Sequence, residues 1–79
     1  MPKVKTIRLP EDLARAIVHR ARLENVDEST AIRQLITIGV KEYAVKLYRE
    51  GKMSLTEAAN LANVTVREMI DLLLDRGVR

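Results

Sequence analysis

One stretch constrains this chain more than any other. Val4-Lys5-Thr6-Ile7-Arg8-Leu9-Pro10 is the only segment that reads as a β-strand. A strand carries unpaired amide donors and carbonyl acceptors along both edges, and a folded protein must pair or cover them. No second strand is present in the remaining sequence. Antiparallel self-pairing of two copies across a two-fold axis meets the requirement most simply. It predicts a two-stranded intermolecular ribbon, and a ribbon of that width fits the major groove of B-DNA.

Side chains alternate along a strand, so Ile7 and Leu9 share one face while Val4, Thr6 and Arg8 share the other. Lys5 falls on the apolar face. It lies near the strand's end, where its long stem can carry the ammonium out to water or a phosphate. Pro10 stops the strand and suits the first turn of a helix, and Glu11 and Asp12 complement the positive helix N-terminus.

Everything after Pro10 reads as helix and turn. A first helix is predicted over residues 11–24, with Leu13, Ala14, Ile17, Val18 and Ala21 as its apolar stripe and Arg15, His19 and Arg22 opposite. Asn25-Val26-Asp27 is a turn, and Asp27 is a suitable N-cap for a second helix running from Glu28 to Glu50. That helix carries Ile32, Leu35, Ile36, Gly39, Val40, Tyr43 and Leu47 at helical spacing, with Ala31, Ile38 and Ala44 widening the apolar surface. A helix apolar nearly all round is buried, and in a chain of 79 residues only a second copy can bury it. The expected dimer core is therefore Ile7, Leu9, Leu13, Ile17, Ile32, Leu35, Ile36, Val40 and Tyr43. Beyond Gly51, Ser54-Leu55-Thr56-Glu57 and Thr65-Val66-Arg67-Glu68 are capping boxes opening two short helices, to about Ala62 and Arg76. Asn63 occupies the intervening turn, and Gly77 ends the last helix.

Charge is distributed unevenly. The net charge is +3. Residues 1–22 hold Lys3, Lys5, Arg8, Arg15, Arg20 and Arg22 against Glu11 and Asp12, whereas the charges of residues 52–79 cancel. Any electrostatic attraction to nucleic acid therefore lies at the front of the chain. There is no cysteine, so neither disulfides nor a cysteine-based zinc site can add stability. No apolar run reads as a signal peptide or membrane span, and the expected location is the cytoplasm.

Strand, helix, turn and long helix, in that order and at these lengths, resemble the ribbon-helix-helix family of Arc/MetJ-type repressors. The resemblance rests on Thr6-Ile7-Arg8-Leu9-Pro10-Glu11-Asp12-Leu13 and on Asn25-Val26-Asp27-Glu28-Ser29-Thr30-Ala31-Ile32-Arg33, and it covers roughly the first fifty residues. It implies a mainly α fold in which residues 1–50 form a ribbon-helix-helix dimerisation and DNA-binding domain. Val4, Thr6 and Arg8 would then face base edges, and their chemistry suits that role. Arg8 can donate a bidentate pair to guanine, Thr6 can donate or accept, and Val4 can touch a thymine methyl. The same family holds a phosphate at the N-terminus of its second helix, which implicates Ser29, although Asp27 and Glu28 oppose an anion there. Lys3 and Lys5 are further phosphate partners.

The C-terminal piece, from Leu47-Tyr48-Arg49-Glu50-Gly51-Lys52-Met53-Ser54-Leu55-Thr56-Glu57-Ala58-Ala59 through Leu72-Leu73-Leu74-Asp75-Arg76-Gly77-Val78, resembles a small prokaryotic family of uncharacterised, antitoxin-like proteins, and residues 51–79 are expected to form a C-terminal helical hairpin. Their cadence is that of a helix-turn-helix pair. Yet the second helix carries Glu68, Asp71 and Asp75 beside Arg67, which opposes entry into a groove, so the pair is read as a module for packing or protein contact.

No catalytic constellation is visible. His19 is the only histidine and lies on a charged helix face, Asp71 and Asp75 read as a solvated face, and no glycine-rich phosphate loop is present. The expectation is a non-enzymatic, sequence-specific double-stranded DNA-binding repressor, antitoxin-like, without cofactor or metal. It would act as a homodimer, with dimers of dimers on DNA and a toxin protein bound through residues 52–79. The alternatives are a protein-interaction module that neutralises a toxin and a general nucleoid protein with little sequence preference.

Overall fold

A computed structural model describes residues 3–78, which form four helices in the order α1 (Glu11–Glu24), α2 (Glu28–Arg49), α3 (Leu55–Leu61) and α4 (Val66–Asp75). The protein is mainly helical. Among the described residues there is no β-strand, and residues 3–10 run exposed and irregular into α1. This departs from the strand expected over residues 4–10, and the reason is topological. A strand exists only in a ladder, and this single chain offers no second extended segment. Among the described residues, the only backbone hydrogen bond made by residues 3–10 is that from the Ala14 amide to the Pro10 carbonyl, 3.0 Å long.

Each helix boundary has a local cause. Glu11 and Asp12 occupy the first turn of α1, and Asn25 ends it in the left-handed conformation at φ 55°. That cap directs the Val26 amide back to the Ala21 carbonyl at 3.0 Å. Asp27 caps α2, its carboxylate accepting the Thr30 amide at 3.1 Å. Gly51, at φ 73°, closes α2 by the same left-handed device, and Lys52 N–H reaches the Leu47 carbonyl at 2.9 Å. Both capping boxes form in full. Ser54 and Glu57 bracket the start of α3, and Thr65 and Glu68 bracket the start of α4.

The chain packs as two units, Met1–Gln34 and Leu35–Arg79, with the boundary inside α2. In the N-terminal unit the buried residues are Ile17, Ala21 and Ala31. Arg20 ties this unit's helices together, donating from Nε to Gln34 at 3.0 Å and pairing with Glu24 at 3.9 Å.

In the C-terminal unit, Ala44 and Val45 from α2 join Ala58, Ala59 and Ala62 of the α3 segment and Met69 and Leu73 of α4 in one buried cluster. Tyr48, Met53, Leu55, Val64, Leu72 and Val78 pack around it. Small alanines let α3 approach closely, and Met69, wholly buried, fills the space between. Thus Ala44, Val45 and Tyr48 serve the C-terminal core although they lie before residue 50, where the domain division was expected. A fork of hydrogen bonds from Arg76 to Glu42 reinforces the unit, and Arg49 donates to the Arg76 carbonyl at 3.3 Å.

Candidate nucleic-acid interface

Lys3, Val4, Lys5, Thr6, Ile7, Arg8 and Leu9 are all exposed, and Val4 and Ile7 retain 97% and 70% of their full accessibility. An exposed isoleucine alternating with exposed threonine and arginine is a half-built surface, apolar on one side and polar on the other. The expected dimer core divides accordingly. Ile17 is buried and Ile32, Leu35 and Val40 are half-buried, while Ile7, Leu9, Leu13, Ile36 and Tyr43 are exposed in the single chain, the last two at 57% and 53%. The second helix is therefore not buried all round as expected. Its fully covered residues are Ala31, Ala44 and Val45, because one copy supplies nothing to lie against the Ile36 and Tyr43 side.

The cations of the two units behave differently. In the C-terminal unit Lys46 and Lys52 both reach Glu50, at 3.4 and 3.3 Å, Arg76 is clamped to Glu42, and Lys41 acts on the carboxylate of Glu68. In the N-terminal unit Arg20 is engaged, but Lys3, Lys5, Arg8, Arg15 and Arg22 are exposed and make no hydrogen bond or ion pair among the described residues. Uncompensated positive charge thus gathers in residues 3–22.

At the start of α2 the anion clamp expected at Ser29 meets a competitor. The Thr30 side chain, and then the Thr30 amide that donates to Asp27, hold the Asp27 carboxyl below its ordinary range, with Arg33 adding to the effect. The amide that a phosphate would use is already engaged by a carboxylate. Ser29 itself is exposed.

The acidic groups of the C-terminal unit are also held in their charged form, each for a structural reason. Hydrogen bonds from Arg76 lower Glu42, and the backbone amides of Ser54 and Thr65 lower Glu57 and Glu68 respectively. Each serves as a cap or a clamp. Among the described residues no three His, Cys, Asp or Glu side chains gather where they could hold a metal ion, and no helix is long and apolar enough to cross a membrane.

The sequence did not point to the Glu42–Arg76 fork, because the two residues lie far apart in the chain and neither belongs to a motif. The unpaired state of Arg15 and Arg22 was partly visible, since helical spacing places both opposite the apolar stripe.

The fold is that of a small, mainly helical protein whose C-terminal unit holds one buried cluster and whose N-terminal unit carries uncovered apolar and basic surface. Along its whole length, residues 1–79, the chain matches the model of an uncharacterised protein family, UPF0175, and it belongs to that family. The match covers both units, not the C-terminal segment alone. No curated protein and no solved structure matches the chain.

Proposed function

We propose that this protein is a dimeric, sequence-specific double-stranded DNA-binding regulator, a repressor of antitoxin-like character. Residues 4–10 of two copies form an antiparallel ribbon in the major groove. One observation carries the proposal: residues 3–10 are exposed along their whole length, with apolar Ile7 and Leu9 uncovered and every cation unpaired. Pairing with a second copy satisfies the bare backbone, covers Ile7 and Leu9 against the exposed side chains of Leu13, Ile36 and Tyr43, and turns Val4, Thr6 and Arg8 outward together. Lys3 and Lys5, with Ser29 subordinate to the Asp27 cap, supply phosphate contacts.

The test is selection of bound duplexes from a random pool, followed by Arg8→Ala on the selected site. The expected outcome is a two-fold symmetric consensus, and a loss of about 1–3 kcal/mol with one base preference relaxed. If Arg8→Ala binds the selected site as well as the parent does, the ribbon does not read it.

A second reading has its own support. Leu61, Val66, Ile70 and Leu74 are exposed on the C-terminal unit, whose charges cancel over residues 52–79. A surface without net charge that carries apolar side chains suits a protein partner, a toxin in the antitoxin-like case. Co-purification with the product of the neighbouring reading frame, lost on Ile70→Asp but not on Arg8→Ala, is the expected result. Retention by both variants would count against this surface.

A further inference from the structure

Helix α1 carries a second basic element that the ribbon does not use. Arg15, His19 and Arg22 stand at i, i+4 and i+7, a spacing that puts them on one side of a helix. Ile17 and Ala21, the buried residues of α1, lie on the opposite side. Arg15, His19 and Arg22 are all exposed, and they line a shallow open groove with Ala14, Val18 and Glu11. Glu11 is the acid of this groove and sits at its N-terminal end, one turn before Arg15.

Pairing decides what the stripe is for. Arg20 lies on the same helix but off the stripe, and it is held by both Glu24 and Gln34. Arg15 and Arg22 make no hydrogen bond or ion pair among the described residues. In the C-terminal unit Lys46, Lys52 and Arg76 have carboxylate partners and Arg67 stands alone, whereas in α1 two arginines on one side of a single helix are both unpaired among the described residues. Two unpaired guanidiniums seven residues apart span about 10 Å along the axis. DNA presents phosphates at about 3.4 Å of axial rise per strand, so a track of that length meets more than one of them.

From this we infer that α1 is a phosphate-backbone contact, in which Arg15 and Arg22 donate to the phosphodiesters flanking the bases read by the ribbon. The inference deepens and rests on the proposed DNA-binding function, and it assigns residues outside the ribbon and outside the start of α2. Arginine suits the position because its planar fork donates two parallel bonds to a phosphate.

The experiment measures duplex binding against salt concentration for the full-length parent, for Arg15→Gln/Arg22→Gln, and for the charge-matched control Arg20→Gln/Lys52→Gln. Each is titrated with the selected site and with a random-sequence duplex. The stripe variant is expected to lower the slope of log affinity against log salt by about 1.8 on both duplexes, and to leave base preference unchanged. The control is expected to leave the slope where the parent has it. Helix content by circular dichroism confirms that each variant is folded. An unchanged slope for the stripe variant overturns the inference while the ribbon reading stands. Equal loss in the control also overturns it, since net charge alone would then account for the effect. A parent that yields no consensus but loses random-duplex binding in the stripe variant supports the inference and removes sequence-specific reading. A parent that binds no duplex overturns both.

Discussion

Leu35–Arg79 covers seven residues in a single cluster, Met69 among them, whereas Met1–Gln34 covers Ile17, Ala21 and Ala31 and leaves Val4, Ile7, Leu9, Leu13 and Leu23 in solvent. The contrast extends to charge, because in the C-terminal unit Lys46, Lys52 and Arg76 have carboxylate partners while the N-terminal unit leaves Lys3, Lys5, Arg8, Arg15 and Arg22 unpaired among the described residues. Leu35–Arg79 gathers its buried side chains in one cluster yet still exposes Ile36, Tyr43, Ile70 and Leu74, whereas Met1–Gln34 buries few side chains at all.

The sharpest way to break the comparison is to empty the finished core. Met69→Ala should destabilise the C-terminal unit by about 2–5 kcal/mol in urea unfolding, since Met69 is wholly buried. An effect below 1 kcal/mol would mean the cluster is not the source of that unit's stability. Next in size is the exposed apolar side of α2, at the start of the second unit. Ile36→Asp removes a side chain that is 57% exposed in the single chain, so it should scarcely alter the unfolding of an isolated copy. If a second copy covers it, dimer affinity should fall by about 2–4 kcal/mol in sedimentation equilibrium. An unchanged dimer would move the interface elsewhere.

Smaller effects test the ends of helices. Thr65→Ala should cost about 1 kcal/mol, because the hydroxyl accepts the Glu68 amide at 3.0 Å. The smallest effect is one of pH. Glu42, Glu57 and Glu68 titrate below their ordinary range when folded, so the stability they confer is complete above that range. It declines as pH falls below about 4.3 and is gone once the folded groups are protonated. Arg76→Gln should shrink the acid sensitivity by removing the partner of Glu42, and an identical acid transition would show that the fork does not contribute.

The helices were legible in the sequence to within a residue or two because their ends are written locally. Asp27, the two capping boxes, Asn63, Gly51 and Gly77 each act on neighbours a few residues away. What escaped was the packing that depends on distance along the chain. Ala44 and Val45 read as part of a uniform apolar helix, and only their neighbours in α3 and α4 show which unit they serve. The segment over residues 4–10 is the opposite case. Its alternation is a local signal, but a ladder is a property of two segments, and one chain contains one.

Because α2 is shared between the units, the proposed dimer would give its two ends different folding times. Its last turns belong to a cluster whose members all lie between Ala44 and Leu73, so they can close by short-range encounters within one molecule. If the proposed dimer forms, the first turns of α2 gain their remaining contacts only by collision with a second copy. Refolding should therefore separate into a fast phase indifferent to protein concentration and a slower one that accelerates with it. Newly made chains would pass through an interval in which the C-terminal half is protease-resistant and the N-terminal half is not.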